Sequence, residues 1–117
     1  MTQQTHPMFA CNVQAIPPEL RSVHAANTQR LVTSIQEVQA LPTGYALRLP
    51  NETDILQTLI AFLSFERLCC PFFHFQLEIE PEQGPVWFRL TGATDMKSFI
   101  QREGLLPSDV LDLDRKE

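Results

Sequence analysis

The sequence predicts one α+β domain, with helices packed on one face of a sheet that is antiparallel or mixed and has about five strands. Apolar and polar residues alternate in five short segments, as they do in strands that bury one face. Three other segments follow helix-start signals and carry apolar residues at helical spacing. Turn signals that contain proline or glycine separate many of these segments. A layer of helices against the sheet is the arrangement that buries every apolar stripe.

The first predicted strand covers residues 9–15, where Phe9, Cys11 and Val13 alternate with small or polar side chains. This alternation predicts that Cys11 lies on the buried face of the strand. The same pattern predicts four more strands, which form two hairpins. They cover residues 35–40, 45–49, 73–80 and 86–91. Proline and glycine between the two strands of each hairpin mark the turns.

The three predicted helices cover residues 17–33, 52–69 and 94–102. The middle helix is the longest and the most apolar. Asn51 is its predicted N-cap, and Asp54 in the first turn suits the helix dipole. Pro71 ends this helix, because the residue before a proline disfavours the helical region, and Cys70 therefore lies at the boundary. The predicted order is strand, helix, two strands, helix, two strands, helix.

Composition sets further bounds on the protein. Its 117 residues can bury one core without a disulfide or a metal, so we predict a single domain over 1–117 with loosely ordered ends at 1–7 and 104–117. The net charge of −5, without a basic run, predicts that neither nucleic acid nor an anionic membrane is a partner. The longest apolar run, 55–65, is too short to span a bilayer and the N-terminus lacks a signal-peptide pattern, so we expect a cytoplasmic protein.

The side chains that could bind a metal or take part in a reaction lie close together in the sequence, where the long helix ends. On a helical wheel Glu66 falls within the apolar arc, with Cys69 and Cys70 on either side of it. A carboxylate facing the core must be paired, protonated or bound to a metal. Cys11, on the buried face of its strand, is expected to approach this end of the helix. His74 joins the group if the chain twists after the proline.

This set predicts a site for a soft metal or metalloid ion. Thiolates prefer Zn(II), Cu(I), Hg(II) or trivalent arsenic, and a shell of thiolate, imidazole and carboxylate suits zinc. The predicted ligands are Cys69, Cys70, Glu66, Cys11 and His74. Three cysteines in a reducing compartment are expected to be free thiols rather than a structural framework.

Other interpretations of the same residues stay open. Adjacent cysteines can close a strained vicinal disulfide, which would make a thiol-redox protein. The cysteines can instead be small core residues of a structural or protein-interaction module. A thiol-dependent enzyme would require an exposed Cys69 or Cys70 with a lowered pKa. Glu66 can pair with Arg48, Arg67 or Arg89. Edge strands of the predicted sheet also favour pairing with a second copy, as a homodimer.

Residues 66–72 read E-x-x-C-C-x-F, followed by the strand pattern of 73–77 and the return strand over 86–92. In these residues the chain resembles small bacterial proteins that share an E-x-x-C-C-x-F core. The likeness is specific over Glu66 to Phe75 and extends in outline from Cys11 to Phe99. We associate such proteins with heavy-metal-responsive regulators, so the resemblance implies a role for the thiols in metal response. It implies no catalytic assignment.

Overall fold

The computed structural model describes residues 11–103 and residue 106, and it is an α+β fold built on one antiparallel sheet of four strands. Within these residues, helices and strands follow one another as α1 (Arg21–Ser34), β1 (Glu37–Leu41), β2 (Gly44–Leu49), α2 (Thr53–Cys69), β3 (His74–Ile79), β4 (Val86–Thr91) and α3 (Met96–Glu103). Two short 3-10 turns precede α1, at Val13–Ala15 and Pro18–Leu20. The predicted fold class is confirmed, as is the order of elements from the first helix onward.

The sheet joins the two predicted hairpins through their inner strands. Its order is β1-β2-β4-β3, and every neighbouring pair is antiparallel. Phe88 on the central strand β4 lies opposite Leu47 on one side and Leu77 on the other. The α1 and α2 helices cover the face that carries Phe88, and the Phe62 ring of α2 packs edge-on against it at 6.3 Å. This sheet face is the core of the domain.

The predicted first strand is wrong over the described residues of that segment, and the sheet that the described residues form has four strands rather than five. From Asn12 the chain folds into a 3-10 turn, because the Asn12 side chain accepts a hydrogen bond from the Gln14 amide at 3.1 Å. Short polar side chains that bond to nearby backbone compete in this way with strand pairing. Val13 is exposed, and so is Cys11, contrary to its predicted place on a buried strand face. The predicted loose ends, 1–7 and 104–117, lie outside the described residues apart from Leu106, which is buried.

The α2 helix ends at the predicted residue, but it starts one residue later and its faces differ in detail. Its N-cap is Glu52 rather than Asn51, whose side-chain amide donates to the Gly84 carbonyl at 2.8 Å. Leu59 is fully buried, whereas Ile60, which the helical wheel also assigns to the apolar arc, is 56% exposed. The helix is therefore covered along a narrower stripe than its sequence predicts. None of the described helices is long and apolar enough to cross a membrane.

Candidate functional site

Two buried cysteines close the α2 helix. Cys69 is its last residue, and Cys70 follows with φ −128° and ψ 73°, outside the helical region, as Pro71 requires. The Cys70 amide still donates to the Glu66 carbonyl at 2.8 Å, which fixes this residue against the final turn. Cys69 is 8% exposed and Cys70 is 1% exposed. The change of backbone direction after Cys69 brings the two sulfurs to 3.8 Å from each other.

The third cysteine reaches the same place from the other side. The Asn12 amide donates to the Cys69 carbonyl at 2.7 Å, and this bond ties the segment before α1 to the end of α2. It carries the neighbouring Cys11 to Cys70, and these two form a disulfide with a Cα–Cα distance of 4.7 Å. Cys69 is a free thiol. The disulfide therefore joins Cys11 to Cys70, and not the adjacent pair that the vicinal-disulfide hypothesis requires.

The sulfurs of Cys11, Cys69 and Cys70 all lie within 4.8 Å of one another. A tetrahedral ion with metal–sulfur bonds of about 2.3 Å holds its sulfur ligands roughly 3.8 Å apart. The spacing of the three sulfurs therefore fits a single soft ion, once the disulfide is reduced and small side-chain movements separate Cys11 from Cys70. Disulfide sulfurs cannot serve as thiolate ligands, so oxidation and this mode of ion binding exclude each other.

Glu66 and His74 lie apart from the thiol cluster in the described structure. The clustered ligand atoms include neither of them. His74 is exposed at the start of β3, opposite Thr91 of β4. The Glu66 side chain is mostly buried, with 15% of it exposed, and its carboxylate bonds to a histidine of α1 rather than to an arginine. Arg48 and Arg89, two of the partners considered for it, pair with other glutamates on the sheet.

The partner of Glu66 is His24, a residue that the sequence analysis did not place in the site. Its Nε2 lies 2.9 Å from a Glu66 carboxylate oxygen, and because a carboxylate only accepts, Nε2 carries the hydrogen. The His24 ring stacks on Phe62 at 5.3 Å and meets the edge of Phe65 at 6.2 Å. A signal for this position exists in the sequence, since His24 precedes Leu31 by seven residues and so shares its face of the helix.

Burial and charge act together on Cys69. Burial raises the pKa of the Cys69 thiol, the negative charge of Glu66 raises it further, and a hydrogen bond from the Asn12 backbone opposes them. Both dominant causes disfavour the thiolate, the form that acts as a nucleophile. This is the opposite of the environment that a thiol-dependent enzyme requires.

A pH profile of alkylation tests this environment, because Cys69 is the free thiol of the disulfide form. We expect the rate of Cys69 alkylation by iodoacetamide to rise with a midpoint above that of free cysteine. Glu66→Gln removes the nearby negative charge, so its midpoint is expected at lower pH than in the unmodified protein. Glu52→Gln is the matched control, since Glu52 lies at the far end of α2, about 25 Å away by helix rise. An equal shift in both variants would contradict the role assigned to Glu66.

No protein-family model, curated protein or solved structure matches this chain. The resemblance to bacterial E-x-x-C-C-x-F proteins therefore stays a prediction from the sequence. The candidate function rests on the geometry of the site.

Proposed function

We propose that the reduced protein binds one soft metal or metalloid ion through Cys11, Cys69 and Cys70. The observation that carries the proposal is the convergence of the three sulfurs within 4.8 Å, from two segments of the chain far apart in sequence. The Asn12–Cys69 backbone bond supports the same geometry without the disulfide, since it holds the two segments together independently of it. We expect this bond, which involves no sulfur atom, to hold the two segments together in the reduced state as well.

The donor set favours ions that prefer sulfur. All three donors are thiolates in the bound state, and soft ligands of this kind select Zn(II), Cu(I), Hg(II) or trivalent arsenic over Mg(II) or Ca(II). Trivalent arsenic can take three thiolates and leave no position open. Zinc would keep a fourth position for water or another ligand, as in sites with three protein ligands. The mostly buried Glu66 carboxylate is held by His24, which favours sulfur-only coordination by the protein.

The disulfide implies that the protein binds the ion only in its reduced form. It also favours a thiol-redox role as the second candidate function. Oxidation joins two of the three sulfurs, and the third, on Cys69, lies 3.8 Å from the Cys70 sulfur. In the cytoplasm, where we propose that the protein resides, glutathione and thioredoxin keep thiols reduced. Ion binding would then be the resting function. A two-electron oxidant that took up the electrons of the Cys11 and Cys70 thiolates would close the disulfide and release the ion.

Thiol protection tests the proposal directly. Protein reduced and freed of reductant under anaerobic conditions is incubated with Zn(II), Hg(II) or arsenite, and the rate of thiol reaction with Ellman's reagent is then measured. We expect one equivalent of at least one of these ions to slow the reaction of all three thiols. The disulfide form, which keeps one thiol, is the control and should not bind the ion through the three-sulfur site. Unchanged thiol reactivity with every ion would remove the proposal.

We also propose that two copies pair through β3, an edge strand of the described sheet. Leu77 and Ile79 on this strand are 37% and 51% exposed, although they share the face that is buried elsewhere in the sheet. In an antiparallel pair of β3 strands centred on Gln76, His74 faces Glu78 of the second copy, so an imidazole N–H can donate a hydrogen bond to that carboxylate.

Sedimentation equilibrium checks the pairing. We expect a dimer for the unmodified chain and a monomer for Ile79→Lys, because a charge on the paired face disfavours association. Val23→Lys makes the same change at a similarly exposed position on α1 and should leave the dimer intact. A monomer at every concentration of the unmodified chain would contradict the proposal.

A further inference from the structure

A cavity of about 90 Å³ lies between the two long helices and the sheet, away from the cysteines. Leu31 and Val32 of α1, Leu59 and Phe62 of α2, and Leu47 and Leu49 of β2 form much of its wall. The cavity is partly open to solvent, so it is a pocket rather than a sealed packing defect. Protein interiors are packed to the density of organic crystals, and a partly open apolar space with a few polar groups in its lining is therefore a candidate site for a small ligand.

One wall of the pocket carries a charge. Glu66 is the charged residue among those that line it, and Thr28 is the other polar one. Thr28 is already engaged, since its hydroxyl donates to the His24 carbonyl at 2.8 Å. The Glu66 carboxylate accepts one hydrogen bond from His24, and a carboxylate has capacity for several. The pocket thus offers a hydrogen-bond acceptor with negative charge beside a hydrocarbon wall.

His24 holds this carboxylate in a fixed position. Its ring is clamped between Phe62 and Phe65, and its side chain is only 10% exposed. The His24 Nδ1 atom is buried and has no hydrogen-bond partner among the described residues. The ring is therefore committed to Glu66 through Nε2. A positioned carboxylate loses less conformational freedom when a ligand binds than a mobile surface carboxylate does.

We propose that this pocket binds a small primary amine, whose ammonium group pairs with Glu66 and whose short apolar chain fills the space between α1, α2 and the sheet. A cation suits the pocket because the charged side chain in its lining is negative. An anion would meet that charge without a compensating donor. An engineered cavity of about 150 Å³ accommodates benzene, so this smaller space suits a branched aliphatic chain of roughly four carbons. The inference involves no sulfur atom and is independent of the proposed ion site.

The test compares three ligands of one shape: isobutylamine, isobutanol and isobutyrate. Each is titrated into the disulfide form of the full chain, and backbone amide shifts are followed by NMR. We expect saturable shifts for residues that line the pocket, with the amine binding about five- to tenfold more tightly than the alcohol, as charge-assisted hydrogen bonds are stronger than neutral ones. Isobutyrate should bind more weakly than either.

Two variants make the test specific. Glu66→Gln should bring amine and alcohol affinities to within about twofold, since it removes the charge-assisted part of the hydrogen bond, whereas Glu52→Gln should behave as the unmodified chain. Val32→Phe adds a ring to the pocket wall and should abolish amine binding while keeping Glu66, so it decides the question if Glu66→Gln fails to fold. Equal binding of amine and isobutyrate, or no saturable shift with the amine, would overturn the proposal.

Discussion

Replacing any one of Cys11, Cys69 or Cys70 by serine is expected to weaken Zn(II) binding to the reduced protein by at least about 100-fold. Zinc sites of four protein ligands contribute roughly 10–16 kcal/mol of binding free energy, so one thiolate accounts for about 3 kcal/mol. A serine hydroxyl is a hard, protonated donor at neutral pH and does not replace a thiolate. Competition with a chromophoric zinc chelator measures the affinity of each variant.

Two further variants separate the sulfur-only site from the wider ligand set that the sequence predicts. His74→Ala removes an exposed imidazole of β3, and Glu66→Gln removes the carboxylate held by His24. We expect both to keep zinc affinity within about threefold, a change of less than 1 kcal/mol. If either variant lost as much zinc affinity as the cysteine variants, the residue replaced in it would be a zinc ligand. Full affinity after any one cysteine substitution would contradict the three-thiolate site.

Reducing the Cys11–Cys70 disulfide is expected to lower the free energy of unfolding by about 4 kcal/mol. The two cysteines are 59 residues apart, and the chain-entropy model assigns roughly this stabilisation to a loop of that length. The loop contains α1, the β1–β2 hairpin and α2, so the disulfide restricts about two thirds of the described chain in the unfolded state. Urea unfolding with and without a phosphine reductant measures the difference.

The double variant Cys11→Ser, Cys70→Ser is the covalent counterpart of reduction and should unfold at the same urea concentration with or without reductant. Cys69→Ser keeps the disulfide and should retain the full difference between the two conditions. A saturating soft ion should restore part of the lost stability in the reduced protein, by about 2.7 kcal/mol at 100 times its dissociation constant. Identical unfolding curves for the oxidised and reduced chain would contradict the stabilising role of the disulfide.

The sequence predicts those parts of the fold that depend on local patterns. The β4 strand alternates cleanly, and its apolar residues are buried as expected. The end of α2 follows from Pro71, which restricts the residue before it whatever the rest of the chain does. Both signals are local. The steric effect of a proline reaches only the preceding residue, and the alternation of a half-buried strand is visible within a few residues. The position of Glu66 toward the core follows in the same way from helical geometry.

Other features depend on contacts between distant segments, and the spacing of apolar residues in the sequence does not predict such contacts. Alternation around Cys11 resembles a strand, but the segment lacks a pairing partner in the described sheet and the Asn12 side chain favours a turn. The same segment nonetheless reaches Cys70, through a backbone bond that no pattern identifies. The Glu66 partner likewise comes from α1, 42 residues earlier. The sequence therefore identifies the candidate site residues more readily than the residues that they contact in the fold.

X-ray absorption spectroscopy on the reduced protein loaded with one equivalent of Zn(II) tests the central claim most directly, because it counts the sulfur atoms bound to the ion. We expect three sulfur scatterers at about 2.3 Å, with any remaining ligand a lighter atom. The same measurement on Cys11→Ser should give two sulfurs. A first shell made only of nitrogen and oxygen, or one sulfur per ion in the unmodified chain, would contradict the account.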